Sequence, residues 1–465
     1  MPPRNIIIII LTAVISYFCY EKARRDRYAG LFAEAIDHIE SRYVEKVEHR
    51  ELFEHALNGL LGKLDPYSSY IGPQEFSKFK EDLDQEFGGI GIIISPNVES
   101  GHLTVLSPVV GTPAHRAGVM AGDTILEVDG ESLEGMALRA AVDRLRGLPG
   151  TEVRITLERD GDKETHEITI TRAIIKVPSV LGDTLNPDGN WKYFLKDHPS
   201  IGYIRLTTFG EHTVDELRSA LKSLPNQQMK GQILDLRSNA GGLLTAAIKV
   251  SDMFIGSGAI VSTRGRGGAV QSVEMATENI EVDEDLPMAV LINGFSASAS
   301  EIVSACLQDH HRAVLVGERT WGKGTVQNII PLEMGKSVIK LTTATFWRPS
   351  DRNIHRSKDA TEEDDWGVIP DEGYEVKLTR EEYEKVVAAR NQADWGTSAS
   401  QIAGGPRESN DLDESTPENA AAVSGVVTAD ETGAAGENFE DPQLRRAIQH
   451  FQDRTESASS PAEAA

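Results

Sequence analysis

The sequence predicts an α/β core with a small β-rich module inserted ahead of it and helices at the N-terminal side. Three observations predict it. Apolar runs at 201–206, 231–236, 288–292 and 313–316 alternate with helical patterns at 214–224, 243–254 and 299–308, as βαβ units around a mainly parallel sheet do. Between about 84 and 173, short β-branched runs are separated by glycine turns. From 28 to 82, apolar residues recur at helical spacing: Leu31, Ile36, Ile39 and Tyr43, then Leu52, Ala56, Leu57, Leu60 and Leu61.

At the N-terminus, Arg4 precedes an apolar run from Ile6 to Tyr20, and Lys22, Arg24, Arg25 and Arg27 follow it. The run is shorter than the roughly 20 residues a membrane span needs. The bulky Tyr17-Phe18-Cys19-Tyr20 offers no small-x-small cleavage site. Residues 1–27 are read as a signal anchor, with a cleaved signal peptide and a buried helix as the alternatives. The expected location is the cell envelope, either anchored and facing the periplasm or another extracytoplasmic space, or secreted.

Residues 28–83 form the helical region, and 84–173 the inserted module. There, Gly88-Gly89-Ile90-Gly91 turns into a strand at Ile92–Ile94, and Thr112-Pro113-Ala114 opens a short helix. Gly122-Asp123 leads a strand that ends in the turn Asp129-Gly130, Leu133 to Leu145 is helical, and strands at 153–157 and 166–170 flank Asp160-Gly161. The pattern reads as a small β-barrel with two helices. Residues 174–395 are the α/β core. Residues 396–437 are rich in Ala, Gly, Ser, Thr and Glu without an apolar period, and are read as a disordered linker. In 438–465, Asp441 is an N-cap, Pro442 takes the first helical position, and Leu444, Ile448 and Phe451 share one face that needs a docking surface.

Composition excludes several classes. The 465-residue chain carries a net charge of −25 and shows no basic stripe with interleaved aromatics, which argues against a nucleic-acid partner. Its only cysteines are Cys19 and Cys306, and no zinc-type Cys/His spacing or His-Glu-x-x-His pairing occurs. No metal or cofactor is expected.

Two segments carry chemistry. In Asn293-Gly294-Phe295-Ser296-Ala297-Ser298-Ala299-Ser300-Glu301 a buried strand turns into a helix, a place where a hydroxyl is exposed beside helix N-terminal N–H groups that can hold an oxyanion. In Trp321-Gly322-Lys323-Gly324-Thr325-Val326-Gln327 a lysine sits between glycines after another buried strand. An ammonium stripped of water is disfavoured, so such a lysine can serve as a base. The segment is no phosphate loop, since the earlier glycine and the Ser or Thr directly after the lysine are missing.

Taken together, Ser296 to Glu301, Leu307-Gln308-Asp309, Gly322 to Gln327 and Asp235-Leu236-Arg237-Ser238-Asn239-Ala240-Gly241-Gly242 resemble the signature of the carboxyl-terminal processing (tail-specific) peptidases. Leu64-Asp65-Pro66-Tyr67-Ser68, Gly202 to Leu206 and Gly367-Val368-Ile369-Pro370-Asp371 extend the resemblance from about 30 to about 375. It implies an α/β protease core, a crotonase/ClpP-like mixed sheet with helices, and makes the inserted module a PDZ domain. It also implies Ser298 as nucleophile, Lys323 as general base and Gln327 as the residue orienting the amine, one turn away should the segment be helical. The oxyanion hole would use Ala299 and either Gly241 or Gly242, with Glu301 near the site. Gly88, Gly89, Ile90, Gly91 and Ile92 would bind the C-terminus of a protein substrate. A homodimer through the N-terminal helices, an adaptor and membrane association of the N-terminus complete the expected partners.

Three other readings compete. A Ser-His-Asp triad with His310 or His311 places the histidine at the far end of the nucleophile helix. A non-catalytic scaffold binding C-termini would not need Ser298, Lys323 and Gln327 together. An acyl-CoA enzyme would share the core fold and bind CoA.

Overall fold

A computed structural model describes residues 3–96, 101–159, 164–186, 188–224, 229–395 and 439–459. The linker expected at 396–437, the turn at Asp160-Gly161 and the end of the tail lie outside the described residues. The chain divides into two compact units, 1–76 with 327–342, and 77–326 with 343–465.

In the first unit a single helix runs from Pro3 to Arg42, and a second spans His49–Leu61. Ile6, Ile10, Val14 and Phe18 on the first helix are exposed, and Ile36 is buried. Among the described residues no helix is long and apolar enough to cross a membrane. A membrane-spanning reading of 1–27 therefore gains no support. Asp65 accepts the Tyr67 and Ser68 N–H groups at 2.8 Å, an Asx turn that ends the helical stretch before the strand Ser69–Ile71. That strand pairs antiparallel with 338–340.

The second unit holds the module and the core. The core sheet has the order Val180–Leu181, Ile201–Leu206, Gly231–Asp235, Met288–Ile292, Val314–Gly317, parallel throughout except for the first pair. Ile201–Leu206, Gly231–Asp235 and Met288–Ile292 are buried along their whole length, because both faces are covered. Ile204, Leu234, Val290 and Leu315 pack with the helices Thr213–Ser223, Leu244–Asp252 and Ala299–Asp309. The alternate residues Ile201, Tyr203, Ile233, Ala289, Leu291 and Val316 receive the helix Pro442–Ser459 through Leu444, Ala447, Ile448 and Phe451. Asp441 caps that helix by accepting the N–H groups of Gln443 and Leu444. Burying Phe451 to 2% exposure contributes about 1.5–3 kcal/mol, so this helix belongs to the core despite its distance along the chain. A second sheet pairs Ala259–Arg264 with Val270–Met275 and with 345–347, and Gly265 to Gly268 close its hairpin.

The module departs from the expected barrel. Its strands form an open sheet, in the order Ile92–Pro96, Leu103–Pro108, Thr124–Val128, Glu152–Glu158, His166–Thr171, over a core of Val105, Ile125, Val153 and Ile155. Glu86–Gly89 and Ala173–Lys176 pair separately as a two-stranded stalk, which uses up the strands that closure would require. The strand Ile92–Pro96 is left as an edge. At the foot of the stalk, Gln85 is buried with φ 57°. It donates to the Val177 carbonyl and accepts the His212 N–H, joining module to core.

Candidate active site

Ser298 follows the buried strand Met288–Ile292 and caps the helix Ala299–Asp309, with φ 55° and ψ −111°. Non-glycine residues rarely adopt this conformation, and it persists only where surrounding bonds enforce it. Those bonds are plain. The Ser296 hydroxyl donates to the Leu236 carbonyl and the Ser300 hydroxyl to the Asn239 carbonyl, both at 2.8 Å. The Ala297 N–H also donates to the Asn239 carbonyl at 3.0 Å. Ser296 and Ser300 are thus buried and engaged, while Ser298 between them is partly exposed.

Lys323 is only 3% exposed. The flanking glycines are needed because the loop is wedged: a Cβ at Gly322 would lie 2.7 Å from Arg356 Cβ, and one at Gly324 2.3 Å from the His355 nitrogen. The loop is tied to the Ser298 turn and the strand before it by Glu318 N–H to the Ile292 carbonyl and Trp321 N–H to the Ser296 carbonyl, each at 3.0 Å.

The strongest tie is Glu301, which is fully buried. Its Oε2 accepts the Ser298 N–H and the Lys323 N–H, each at 2.8 Å. Its Oε1 accepts the Gly322 N–H at 2.7 Å and the Thr320 hydroxyl at 2.5 Å. One carboxylate thus fastens both candidate segments, and the two backbone nitrogens lie within twice the bond length of each other. Burial pushes its pKa up to about 7, against the pull of the four donors. From sequence, Glu301 reads as an acidic residue in a helix's first turn. Only its burial reveals the clamp.

The two glycines differ. Gly241 is buried with φ 102°, and a Cβ there would lie 2.8 Å from both the Ser298 Cβ and the Ala299 nitrogen. Its own N–H donates to Asn239 Oδ1 at 2.9 Å. Gly242 is exposed and, among the described residues, its N–H meets no acceptor. Gly241→Ala is expected to lower kcat by about 10²-fold by displacing the nucleophile turn, read by peptide hydrolysis with circular dichroism unchanged.

Gln327 lies on the extended strand Thr325–Leu332, so the helical turn that would pair it with Lys323 does not form. Its amide donates to Thr342 Oγ1, which donates to Asp65 Oδ1, both at 3.2 Å. In the module, Gly88 and Gly89 sit in the stalk ladder rather than in a loop, opposite Ile174 and Ala173. Ile90 and Gly91 make the turn, with their carbonyls accepting the Ala114 and Val109 N–H groups, and Ile92 begins the edge strand. His310 bonds the Ala259 carbonyl at the far end of the helix Ala299–Asp309, away from Ser298. Burial pushes the Cys306 thiol up to about 12, which removes it as a nucleophile.

Known proteins are similar along most of this chain. Family profiles described as Peptidase family S41, PDZ domain and Activating protease CtpB N-terminal domain match residues 200–373, 104–159 and 21–74. The carboxy-terminal-processing protease of Bartonella bacilliformis is 38% identical over 400 residues, 82% of this chain and 86% of that protein. The carboxyl-terminal-processing protease of Synechocystis is 34% identical over 344 residues, covering 73% and 75%. Among solved structures, a photosystem II D1 C-terminal processing protease aligns at 28% identity and a TM-score of 0.41, over 76% of this chain and 92% of that one. With an S41 core, a PDZ domain and this degree of identity, the chain belongs to the carboxyl-terminal processing proteases of peptidase family S41, and is a serine-type peptidase.

Proposed function

We propose that the protein is an endopeptidase that cleaves partly unfolded proteins through a Ser298–Lys323 dyad, with the substrate C-terminus recognised by the PDZ domain. One observation carries the dyad: Ser298 and Lys323 donate their N–H groups to the same buried oxygen of Glu301. Lys323 is buried, and the mechanism requires its amine to be uncharged when it takes the proton. Neutral Lys323 Nζ takes the Ser298 Oγ proton as Oγ attacks the scissile carbonyl carbon. The resulting oxyanion is held by the Ala299 N–H and the Gly242 N–H, since the Gly241 N–H is already committed to Asn239. The C–N bond then breaks, the ammonium of Lys323 protonates the leaving amine, and an acyl-enzyme remains. Water deprotonated by Lys323 attacks the acyl carbon, the bond from that carbon to Ser298 Oγ breaks to release the new carboxyl terminus, and Lys323 returns the proton to Oγ. No step is assigned to Gln327.

The open edge Ile92–Pro96, next to the Ile90–Gly91 turn, supports the tail-binding reading, because an extended peptide can add to such an edge with its carboxylate at the turn. The test compares one unstructured peptide with a free and an amidated C-terminus. The free form is expected to be cleaved at least about tenfold faster, as loss of a charge-assisted interaction implies. Equal rates would remove the tail-reading role. Unchanged cleavage by Ser298→Ala would remove the dyad.

A further inference from the structure

The helix Pro442–Ser459 has no part in the chemistry above, yet its start touches Arg237 and Glu318, in the segments that lead to Asn239 and to Lys323. Arg237 stands two residues before Asn239 and is 4% exposed. Its Nε and Nη2 donate to Asp235, and its Nη1 donates to Asp441 Oδ2 at 2.8 Å and to Gln443 Oε1 at 3.0 Å. The Gln443 side chain is fully buried. Its Nε2 donates to the Val376 carbonyl at 2.8 Å and to Glu318 Oε1 at 3.4 Å. Glu318 is five residues before Lys323, and its N–H donates to the carbonyl of Ile292, at the end of the strand that leads to Ser298.

Around Asp235 the charges balance only with this helix in place. Asp235 accepts from Arg237, from Arg390 of the helix Arg380–Trp395 at 2.7 Å, and from the Tyr203 hydroxyl at 2.8 Å. The two guanidiniums hold its carboxyl far below the usual carboxylate range, although burial opposes this. Two arginines then face one aspartate, and Asp441 is the second anion. Without it and Gln443, both protons on Arg237 Nη1 lose their acceptors inside the protein, a costly state for a cation that is relieved by turning toward water. Such a turn pulls on Ser238 and Asn239, the residues that hold Gly241 and the nucleophile turn.

We propose that Asp441 and Gln443 are positioning residues for catalysis, and that the docked helix Pro442–Ser459 acts as a brace on the Arg237–Gly242 segment and the strand end leading to Lys323. The inference rests on the peptidase reading, and wild-type cleavage with its loss in Ser298→Ala tests that reading separately. Full-length Gln443→Ala is expected to lower kcat by about 10- to 100-fold with KM changed by less than about twofold, the pattern of displaced catalytic groups with intact substrate binding. Asp441→Asn keeps the cap oxygen and removes the charge, and is expected to lower kcat in the same direction. If Gln443→Ala does not fold, Asp441→Asn carries the test. Phe451→Ala weakens the apolar anchor, so it is expected to lower the Tm and, where the helix is released, to lower kcat in the same direction as the polar variants. Wild-type kcat in the folded polar variants would overturn the proposal.

Discussion

Lys323→Arg is expected to lose peptide hydrolysis as completely as Lys323→Met, each lowering kcat on the order of 10⁴–10⁶-fold. The two substitutions separate two roles for a buried cation. Arginine keeps the positive charge but stays protonated at any usable pH, so it cannot accept the hydroxyl proton. Methionine keeps the unbranched stem and has no base at all. If Lys323 acted by charge, arginine would retain much of the rate. Because the proposed step removes a proton from Ser298, both fail alike. The double variant Ser298→Ala/Lys323→Ala is expected to be no worse than either single one, since groups acting as a unit are not additive. Steady-state kcat on one peptide decides the matter, and Lys323→Arg within about tenfold of wild type would exclude general-base catalysis by this residue.

Glu301→Gln is expected to lower kcat by at least about 10²-fold, the scale of misplaced catalytic geometry. The wild-type carboxylate presents only acceptors to four donors, from Ser298, Thr320, Gly322 and Lys323. A glutamine replaces one oxygen by an NH₂ that confronts N–H groups already aimed at it. Protonation has a milder form of the same effect, because one oxygen then carries a hydrogen. Wild-type kcat/KM should therefore rise with pH through about 7 as Glu301 ionises, and this step should be absent in Glu301→Gln. Stability runs the other way. A carboxyl raised from 4.5 to about 7 on folding favours the protonated native state. Its contribution to stability is present below the unfolded value and is lost as pH rises through about 7. The Tm difference between wild type and Glu301→Gln should accordingly shrink between pH 5 and pH 8. A difference that grows over this range would show that the donors outweigh burial at this carboxyl.

Much of this was legible in the residues. The runs at Ile201–Leu206, Gly231–Asp235 and Met288–Ile292 are apolar on successive positions because both sheet faces are covered, and that property is local. Ser298 and Lys323 could be singled out because a strand-to-helix turn and a glycine-flanked lysine are local too. The spacing of Lys323 and Gln327 would mean one-turn adjacency only on a helix, and from Thr325 onward the segment is an extended strand. The open module was misread as a barrel because alternation fixes which face of a strand is buried, not whether the first strand meets the last.

By itself the sequence indicated the strands and helices between 201 and 316, the inserted module, and Ser298 and Lys323 as the candidates for chemistry, since each follows from a stretch of a few residues. Only the tertiary structure decided that Glu301 clamps Ser298 to Lys323, that the Gly241 N–H is taken while that of Gly242 is open, and that Gln443 reaches Arg237 from 206 positions away. The reason is physical: hydrogen bonds across such separations carry no period along the chain, and their partners are set by which surfaces the folded core brings together.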